Sequence, residues 1–351
     1  MADMERPRLE GSVAVRDGRR LSFAEFGTPR GAAIIWMHGT PGGRRQIPVE
    51  ARAYAEAHDL RIIGIDRPGI GTSTPHLYRD VLDWTGDLEL LADALAVDTM
   101  RVIGLSGGGP YALAAGVALA DRVHGVGVLG GVAPTQGPDA IRGGLVELAP
   151  YAAPLLSLTR VPLGYALAAA IRLVRPLAGP AIDTYAALQP RGDKELLARP
   201  EFRAMFLDDL LNGARFQVGA PLADIILFTR PWGFEAADVS VPVLWWHGDS
   251  DHIIPHAHGV HMSSRLPDAR FETISGESHL GGMGVATEVL EELMELGPRK
   301  ASPRKAGPKT GPKTGPKTGP KTGPKTARRS ARTAAPKPSA APRTAGDERD
   351  R

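Results

Sequence analysis

The sequence predicts an α/β fold: a mostly parallel, doubly wound sheet with helices on both faces. Short runs of β-branched and other apolar residues alternate with longer helical patterns, and the runs are continuously apolar. Continuous apolar strands separated by helices are typical of parallel sheets buried on both sides. A third observation, a long middle segment without a convincing strand, predicts a helical cap inserted between two strands of that sheet.

The predicted elements begin with an antiparallel hairpin over residues 12–27, built around the Asp17-Gly18 turn. Strands and helices then alternate as far as residue 129. Over residues 134–238, Ala, Leu, Pro and Arg give helical fragments only, after which the alternation resumes. The remaining predicted strands are 32–37, 61–65, 101–105, 125–129, 241–246 and 269–274, and the helices outside the cap are 46–58, 81–96, 110–123, 256–266 and 285–296.

Charge divides the chain at residue 297. The last 54 residues hold 16 Lys and Arg against three Asp and Glu, a net charge of +13, whereas the rest carries −10. Five consecutive Gly-Pro-Lys-Thr copies lie in the basic part, where frequent proline and scarce apolar side chains predict disorder. We therefore expect an ordered domain at 1–297, with its core at 12–133 and 239–297 and its cap at about 134–238, followed by a disordered Lys/Pro/Gly-rich tail at 298–351.

Composition excludes several classes of protein. The chain has 351 residues, 42% of them hydrophobic, which is enough for a large core, and no cysteine, which excludes disulfides and thiolate zinc sites. Residues 1–20 lack the apolar region of a signal peptide. The most apolar stretch, 152–174, is interrupted by Arg160, Pro162 and Arg172, so we expect it to fall short of the roughly 20 residues of a membrane span. These features predict a cytoplasmic protein without membrane contact.

A G-x-S-x-G motif at residues 104–108 places Ser106 at its centre. The pattern alone is weak, but it follows a predicted buried strand and leads directly into a predicted helix. A nucleophile elbow requires this strand-turn-helix setting, with small residues around the serine because its backbone is strained and closely packed. The alternative is a glycine-rich turn that only connects the two elements or holds a phosphate. The motif glycines are Gly104 and Gly108, with Gly107 directly after the serine.

A serine hydroxyl becomes a useful nucleophile only beside a base, and that base needs a carboxylate to fix its tautomer. Asp249 and Asp251 follow the predicted strand 241–246, and His279 follows the strand 269–274. Carboxyl ends of parallel strands meet at one edge of a sheet, so these side chains can reach Ser106. The order along the chain is Ser, Asp, His.

These motifs resemble those of the α/β-hydrolase superfamily over about residues 12–296. The motif around Ser106 is similar to its elbow, Gly248-x-x-Asp251 to its acid loop, and residues 38–43 and 66–73 to its oxyanion loop and the loop after its fourth strand. In the family pattern the acid lies three residues after the glycine, which favours Asp251 and leaves Asp249 to shape the turn. The resemblance implies a catalytic triad of Ser106, Asp251 and His279, oxyanion donors in the backbone N–H groups of Thr40 and Gly107, and a mainly structural role for His38 and Gly39.

No metal or cofactor is expected. Four histidines in residues 252–261 could suggest a metal site, but no carboxylate or cysteine set completes it and a helix would spread them over several faces. Nucleophile, base and oxyanion donors would all come from the chain itself. The four histidines are His252, His256, His258 and His261.

Several branches of the superfamily can be compared at single positions. Ser106 argues against branches that use an aspartate nucleophile. Proline iminopeptidases share the His-Gly-x-Pro-Gly loop but typically carry Trp where this chain has Gly107, and carbon–carbon bond hydrolases often have an aromatic residue where it has Leu280. We therefore expect a serine hydrolase for a small to medium-sized, partly apolar carboxylic ester, acting through an acyl-enzyme. An aminopeptidase or amidase and a carbon–carbon bond hydrolase are the alternatives.

Two hypotheses come from other classes of protein. The chain could be a non-catalytic binding protein on this fold, although none of the triad residues is missing. The tail could tether the protein to nucleic acid or another polyanion; it has no aromatic residue for stacking, so such contact would be nonspecific and salt-dependent. A tail without function fits equally well, and the sequence leaves the oligomeric state open.

Overall fold

The computed structural model describes residues 6–297. The predicted tail at 298–351 and its repeats lie outside the described residues. The described chain forms one eight-stranded sheet in the order β1-β2-β4-β3-β5-β6-β7-β8. Its strands are β1 (Leu9–Ala14), β2 (Arg20–Gly27), β3 (Ala32–Met37), β4 (Leu60–Ile65), β5 (Met100–Leu105), β6 (Val123–Leu129), β7 (Val243–Gly248) and β8 (Ala269–Ile274).

The sheet is parallel from β4 to β8 and antiparallel at its N-terminal end. The hairpin β1–β2 pairs Leu9 with Glu25 and Ala14 with Arg20, and β2 also runs antiparallel to β4. All other neighbouring strands are parallel. In the hairpin turn Asp17 and Gly18 both have left-handed backbone angles, φ 58° and 69°, which Asp and Gly adopt more readily than most residues. The predicted sheet and N-terminal hairpin are confirmed.

Helices cover both faces of the sheet. Along β3, Ile35 and Met37 join the hydrophobic cluster that contains helices α2 and α3, whereas Ile34 and Trp36 join the cluster on the opposite face with α1 and α11. This alternation follows from the two-residue period of a strand, and it explains why β3 is apolar throughout. The helices are α1 (Val49–Ala57), α2 (Thr85–Ala94), α3 (Gly109–Ala118), α4 (Ala149–Leu173), α5 (Ala178–Ala187), α6 (Arg191–Ala198), α7 (Pro200–Gly213), α8 (Ala220–Phe228), α9 (His256–Ser263), α10 (Gly281–Gly284) and α11 (Ala286–Glu295).

The segment between β6 and β7 is the predicted helical insertion. It contains α4 to α8, and all of it belongs to the described part of the chain. Its one β-type contact is an isolated bridge between Val218 and Ile70. Outside the cap, the main error concerns the helix predicted at 110–123, which ends at Ala118, because Val123 already pairs with Met100 as the first residue of β6.

Helix α4 corrects the expectation of short fragments. It runs unbroken for 25 residues, although Pro154 and Pro162 lie inside it. Each proline removes one backbone donor, but packing holds the helix together: Ala153 and Leu156 lie in a hydrophobic cluster with Ile226 of α8. Tertiary packing therefore outweighs a local breaker that the sequence pattern could not weigh.

The expectation that the apolar stretch at 152–174 falls short of the length of a membrane span was also wrong. Among the described residues, Leu145–Leu173 is a 29-residue helical stretch that is long and apolar enough to cross a membrane, and little of it is buried. Arg160 lies within it, and its guanidinium donates to the Ser157 carbonyl oxygen of the same helix. Length and composition of one helix do not by themselves establish a membrane span.

Candidate active site

The turn between β5 and α3 carries Ser106 in a strained backbone conformation. Ser106 has φ 51°, in the left-handed region that a non-glycine residue seldom occupies. The flanking glycines are required by space: a Cβ on Gly104 would lie 2.5 Å from the Gly108 carbonyl oxygen, and a Cβ on Gly108 would lie 2.3 Å from that of Met37. The sharp turn thus has the geometry of a nucleophile elbow.

The structure brings Ser106, His279 and Asp251 together from three strand ends. The Ser106 hydroxyl lies 2.9 Å from His279 Nε2, and His279 Nδ1 lies 2.7 Å from Asp251 Oδ2. Since an ionised carboxylate only accepts, Nδ1–H donates to Asp251 and Nε2 is free to accept the Ser106 proton. This is the arrangement of a Ser-His-Asp triad.

The Asp251 carboxylate is held in its ionised form. Burial raises its pKa, but hydrogen bonds from His247 and His279 outweigh that effect and hold the pKa well below its usual range. Its second oxygen accepts the backbone N–H groups of Ile253 and Ile254, both at 2.9 Å. An ionised acid is what a neighbouring imidazolium requires for stabilisation.

Asp249 lies apart from this arrangement and is exposed. Its carboxylate accepts the Gly276 backbone N–H at 2.9 Å and the Ser250 and Ser275 hydroxyls at 3.0 and 3.3 Å. These contacts tie the turn after β7 to the loop after β8. The geometry therefore places Asp251, and not Asp249, against His279.

His247 is a neighbour of the site that the sequence analysis did not identify. It is fully buried in β7, and its Nε2 lies 3.4 Å from Asp251 Oδ2 and 2.8 Å from the Ile254 carbonyl oxygen. The Trp245 indole N–H donates to its Nδ1 at 3.3 Å, so Nε2 carries the proton. His247 thus supports the loop that holds Asp251.

The loop after β3 brings Thr40 beside Gly107. A Cβ on Gly107 would lie 2.2 Å from Thr40 Oγ1 and 3.4 Å from the Phe228 ring. Gly39 is fixed by its backbone N–H, which donates to Gln46 at 2.7 Å. His38 is fully buried, with its Nε2 accepting the Arg67 backbone N–H at 3.2 Å, and burial lowers its pKa well below the usual value. His38 therefore braces the loop as a neutral side chain.

A buried ion pair joins the loop after β4 to the cap helix α8 and contacts the loop that contains Thr40. Arg67 and Asp224 are each 2% exposed, and the guanidinium donates to Asp224 Oδ2 at 2.7 Å. Asp224 also accepts the hydroxyls of Thr40 at 2.6 Å and Tyr111 at 2.7 Å. Arg67 donates in addition to the carbonyl oxygens of His38 and Gly39. The cap thus holds the segment that contains Thr40.

Two further buried cap aspartates contact the loops around the site. Asp193 of α6 accepts the backbone N–H of Leu280, next to His279, at 2.9 Å. Asp209 of α7 accepts those of Gly43 and Arg45 at 2.9 and 3.0 Å. The sequence analysis missed all three aspartates. A signal existed for Asp224, which is the one charged residue in α8.

The candidate triad is almost inaccessible to solvent. Ser106 and His279 are 6% and 9% exposed. A small neighbouring cavity is lined by Arg67, Tyr111 and Asp224 among others, but by neither Ser106 nor His279. That cavity therefore does not serve as the space next to the serine.

The four histidines of residues 252–261 do not converge. His258 Nδ1 accepts the Ala133 backbone N–H, His256 Nε2 lies 3.0 Å from the Thr273 hydroxyl, and His261 Nε2 lies 3.0 Å from the Asp139 carbonyl oxygen. Within residues 6–297, no group of three or more His, Asp or Glu side chains is placed to hold a metal ion.

Comparison with known proteins supports the fold and a distant relationship to hydrolases. No family model matches the chain. A proline iminopeptidase from Xanthomonas citri is 36% identical over 111 residues, which are 31% of this chain and 35% of that protein. The chain thus matches about a third of the length of this curated relative.

Solved structures match over most of the chain. An esterase from Rhodococcus sp. ECU1013 has a TM-score of 0.60 at 20% identity, covering 82% of this chain and 99% of the esterase. An α/β-hydrolase fold protein from Nakamurella multipartita has a TM-score of 0.57 at 19% identity, with 82% and 99% covered. At these identities the similarity shows the fold.

Proposed function

We propose that the chain is a serine hydrolase of the α/β-hydrolase superfamily that acts on a small to medium-sized carboxylic ester with a partly apolar portion. The observation that carries this proposal is the continuous hydrogen-bonded series from Ser106 through His279 to Asp251. The strained elbow around Ser106 supports it, since a turn that only connects two elements has no need of such strain.

In the proposed reaction, Ser106 Oγ attacks the ester carbonyl carbon while its proton passes to His279 Nε2. The tetrahedral intermediate collapses when its alcohol leaves with that proton, and the acyl group stays on Ser106. A water molecule then attacks the acyl-enzyme as His279 takes its proton, and the second intermediate collapses when the bond to Ser106 Oγ breaks, the proton returns from His279 to Oγ, and the carboxylic acid is released. Asp251 stabilises the imidazolium in both halves of the reaction.

The oxyanion of each intermediate would be bound by the backbone N–H groups of Gly107 and Thr40. Donors at such positions are typically worth about 10² to 10³ in rate. Thr40 supports this role because its side chain is tied to Asp224, which would hold its backbone in place before the substrate arrives. Substrate entry would require the cap or the nearby side chains to move, since Ser106 is almost buried.

Proline iminopeptidase activity is the second candidate, favoured by the curated relative. Space at Gly107 argues against it. The chain lacks the tryptophan typical of those enzymes, and the Cβ of any larger residue would collide with Thr40 Oγ1. Thr40 Oγ1 therefore lies where such a side chain would begin, and an ester is favoured over an N-terminal proline peptide.

A fluorophosphonate probe tests the proposed nucleophile. The folded protein at neutral pH should be labelled on Ser106, and Ser106→Ala should abolish both labelling and ester turnover. A panel of p-nitrophenyl esters of increasing acyl length, a lactone and proline p-nitroanilide then separates the two candidates. Labelling without ester turnover but with release of p-nitroaniline would favour the peptidase, and absence of labelling would refute both.

The remaining expectations stay predictions. A carbon–carbon bond hydrolase, a non-catalytic binding protein, a cytoplasmic location and polyanion contact through residues 298–351 are each testable. Truncation after Gly297 should leave ester turnover unchanged and remove retention on a heparin column at low salt. Unchanged retention would refute the polyanion hypothesis.

A further inference from the structure

The cap carries a contiguous apolar surface that nothing in the described chain covers. On one side of α4 and the turn before it, Leu148, Tyr151, Leu155 and Leu158 are 63%, 86%, 66% and 84% exposed. We call these four residues the α4 face. Scattered single exposed apolar residues are normal, but soluble monomers rarely expose a contiguous apolar patch larger than a few hundred Å².

The four residues form a seam along the helix. Their spacing of three, four and three places them at successive a and d positions of a heptad, which is the pattern of helices that pair side by side. The opposite side of α4 is already used: Ala153 and Leu156 pack in a cluster with Ile226 of α8. The α4 face therefore points away from the domain, and folding alone does not explain its apolar character.

The surface is large enough for a specific interface. With the neighbouring Leu145 and Tyr165, which are 60% and 48% exposed, it presents on the order of 500 Å² of apolar area. Pairing of two such faces would remove about 1,000 Å² from water, which reaches the threshold of about 1,000 Å² for a biological interface. The area thus suits a second helix of the same kind.

The composition of residues 145–159 indicates what kind of partner binds to the α4 face. An amphipathic helix that lies on an anionic bilayer carries Lys or Arg beside its apolar stripe. Residues 145–159 contain neither, and Glu147 is their one charged residue. Arg160, between these residues and Tyr165, donates its guanidinium back to the Ser157 carbonyl oxygen of the same helix. An uncharged apolar seam is complementary to itself under a two-fold axis, and homodimer interfaces are the most apolar class. We propose that two copies of this chain pair through their α4 faces. This proposal does not depend on the catalytic activity.

The test is the mass of the full-length chain in solution. Light scattering coupled to size exclusion at 50 µM should give twice the 37.2 kDa of one chain. The double variant Leu155→Glu/Leu158→Glu should raise the dimer dissociation constant at least 100-fold and give a monomer, because each pairing would bury four unpaired carboxylates. Leu90→Glu, at an exposed leucine on α2, is the matched control and should remain a dimer.

A second measurement keeps the proposal testable if the double variant does not fold. The chain has no cysteine, so Leu155→Cys introduces a single thiol into the seam. Mild oxidation should link two chains through Leu155→Cys much faster than through Leu90→Cys. A wild-type monomer at 50 µM, a dimer that survives the double glutamate variant, or a monomer that binds phosphatidylglycerol vesicles through the α4 face would each overturn the proposal.

Discussion

The buried pair of Arg67 and Asp224 gives the sharpest prediction about stability. Asp224→Asn preserves the shape of the side chain and removes its charge. The guanidinium of Arg67, 2% exposed, would then lose its one carboxylate partner, which now lies 2.7 Å away. The change also weakens the hydrogen bonds that Asp224 accepts from Thr40 and Tyr111.

Removing one partner of a buried ion pair typically costs about 3–5 kcal/mol, because the other charge stays buried without compensation. Arg67 would keep the carbonyl oxygens of His38 and Gly39 as acceptors. We therefore expect the lower end, about 3 kcal/mol, which is a large part of the 5–15 kcal/mol typical of a folded domain.

Urea denaturation followed by tryptophan fluorescence measures this loss, with the m-value checked for constancy. The matched control is Asp183→Asn, which breaks an exposed ion pair with Arg203 elsewhere in the cap and should change the free energy of unfolding little. A loss from Asp224→Asn no larger than that of Asp183→Asn would refute the reasoning. Since Thr40 is a proposed oxyanion donor, ester turnover should also fall, mainly in kcat.

Three further predictions follow from single residues. Burial and the nearby Asp66 charge raise the pKa of Asp209 to about 7. Between about pH 4 and 7 the folded state therefore holds a proton on Asp209 that the unfolded state has lost. The free energy of unfolding falls as the pH rises through this range. Asp209→Asn removes this titrating group, so the free energy of unfolding of the variant, measured relative to wild type, should rise by about 2–3 kcal/mol from pH 5 to pH 8. The same pH dependence for variant and wild type in urea titrations would contradict this prediction. Gly108→Ala should destabilise the protein by more than about 2 kcal/mol in the same assay, since its Cβ would meet the Met37 carbonyl oxygen at 2.3 Å. Asp251→Asn should lower kcat by about 10³ to 10⁴, whereas Asp249→Asn should change it less than tenfold; equal losses would show that the acid is misassigned.

The elements that local pattern specifies were predicted closely. The strands at 32–37 and 269–274 have the predicted bounds, because a continuous apolar run in the first and an alternating pattern in the second each lie between polar or glycine-rich turns. The sequence motifs also placed Ser106, Asp251 and His279 on separate strand ends. Parallel strands bring such ends to one edge of a sheet, so their approach follows from topology.

The cap was predicted only as a helical region. Its longest helix contains two prolines, and a local rule ends a helix there, whereas packing of Ala153 and Leu156 against α8 continues it. The contacts of Asp193 and Asp209 with the loops around the candidate site were not predicted either. Each links residues more than 80 positions apart, a separation at which hydrophobic periodicity carries no information.

The sequence by itself determined the class of the sheet, the helical insertion, the candidate nucleophile and base, and the division of charge at residue 297. These depend on periodicity, on spacing to a strand end and on composition, which are all local. The tertiary structure decided which aspartate faces His279, which residues hold the Thr40 loop, and which side of α4 is left uncovered. Those outcomes depend on distances between segments far apart in the chain, and a one-dimensional pattern contains no such distances.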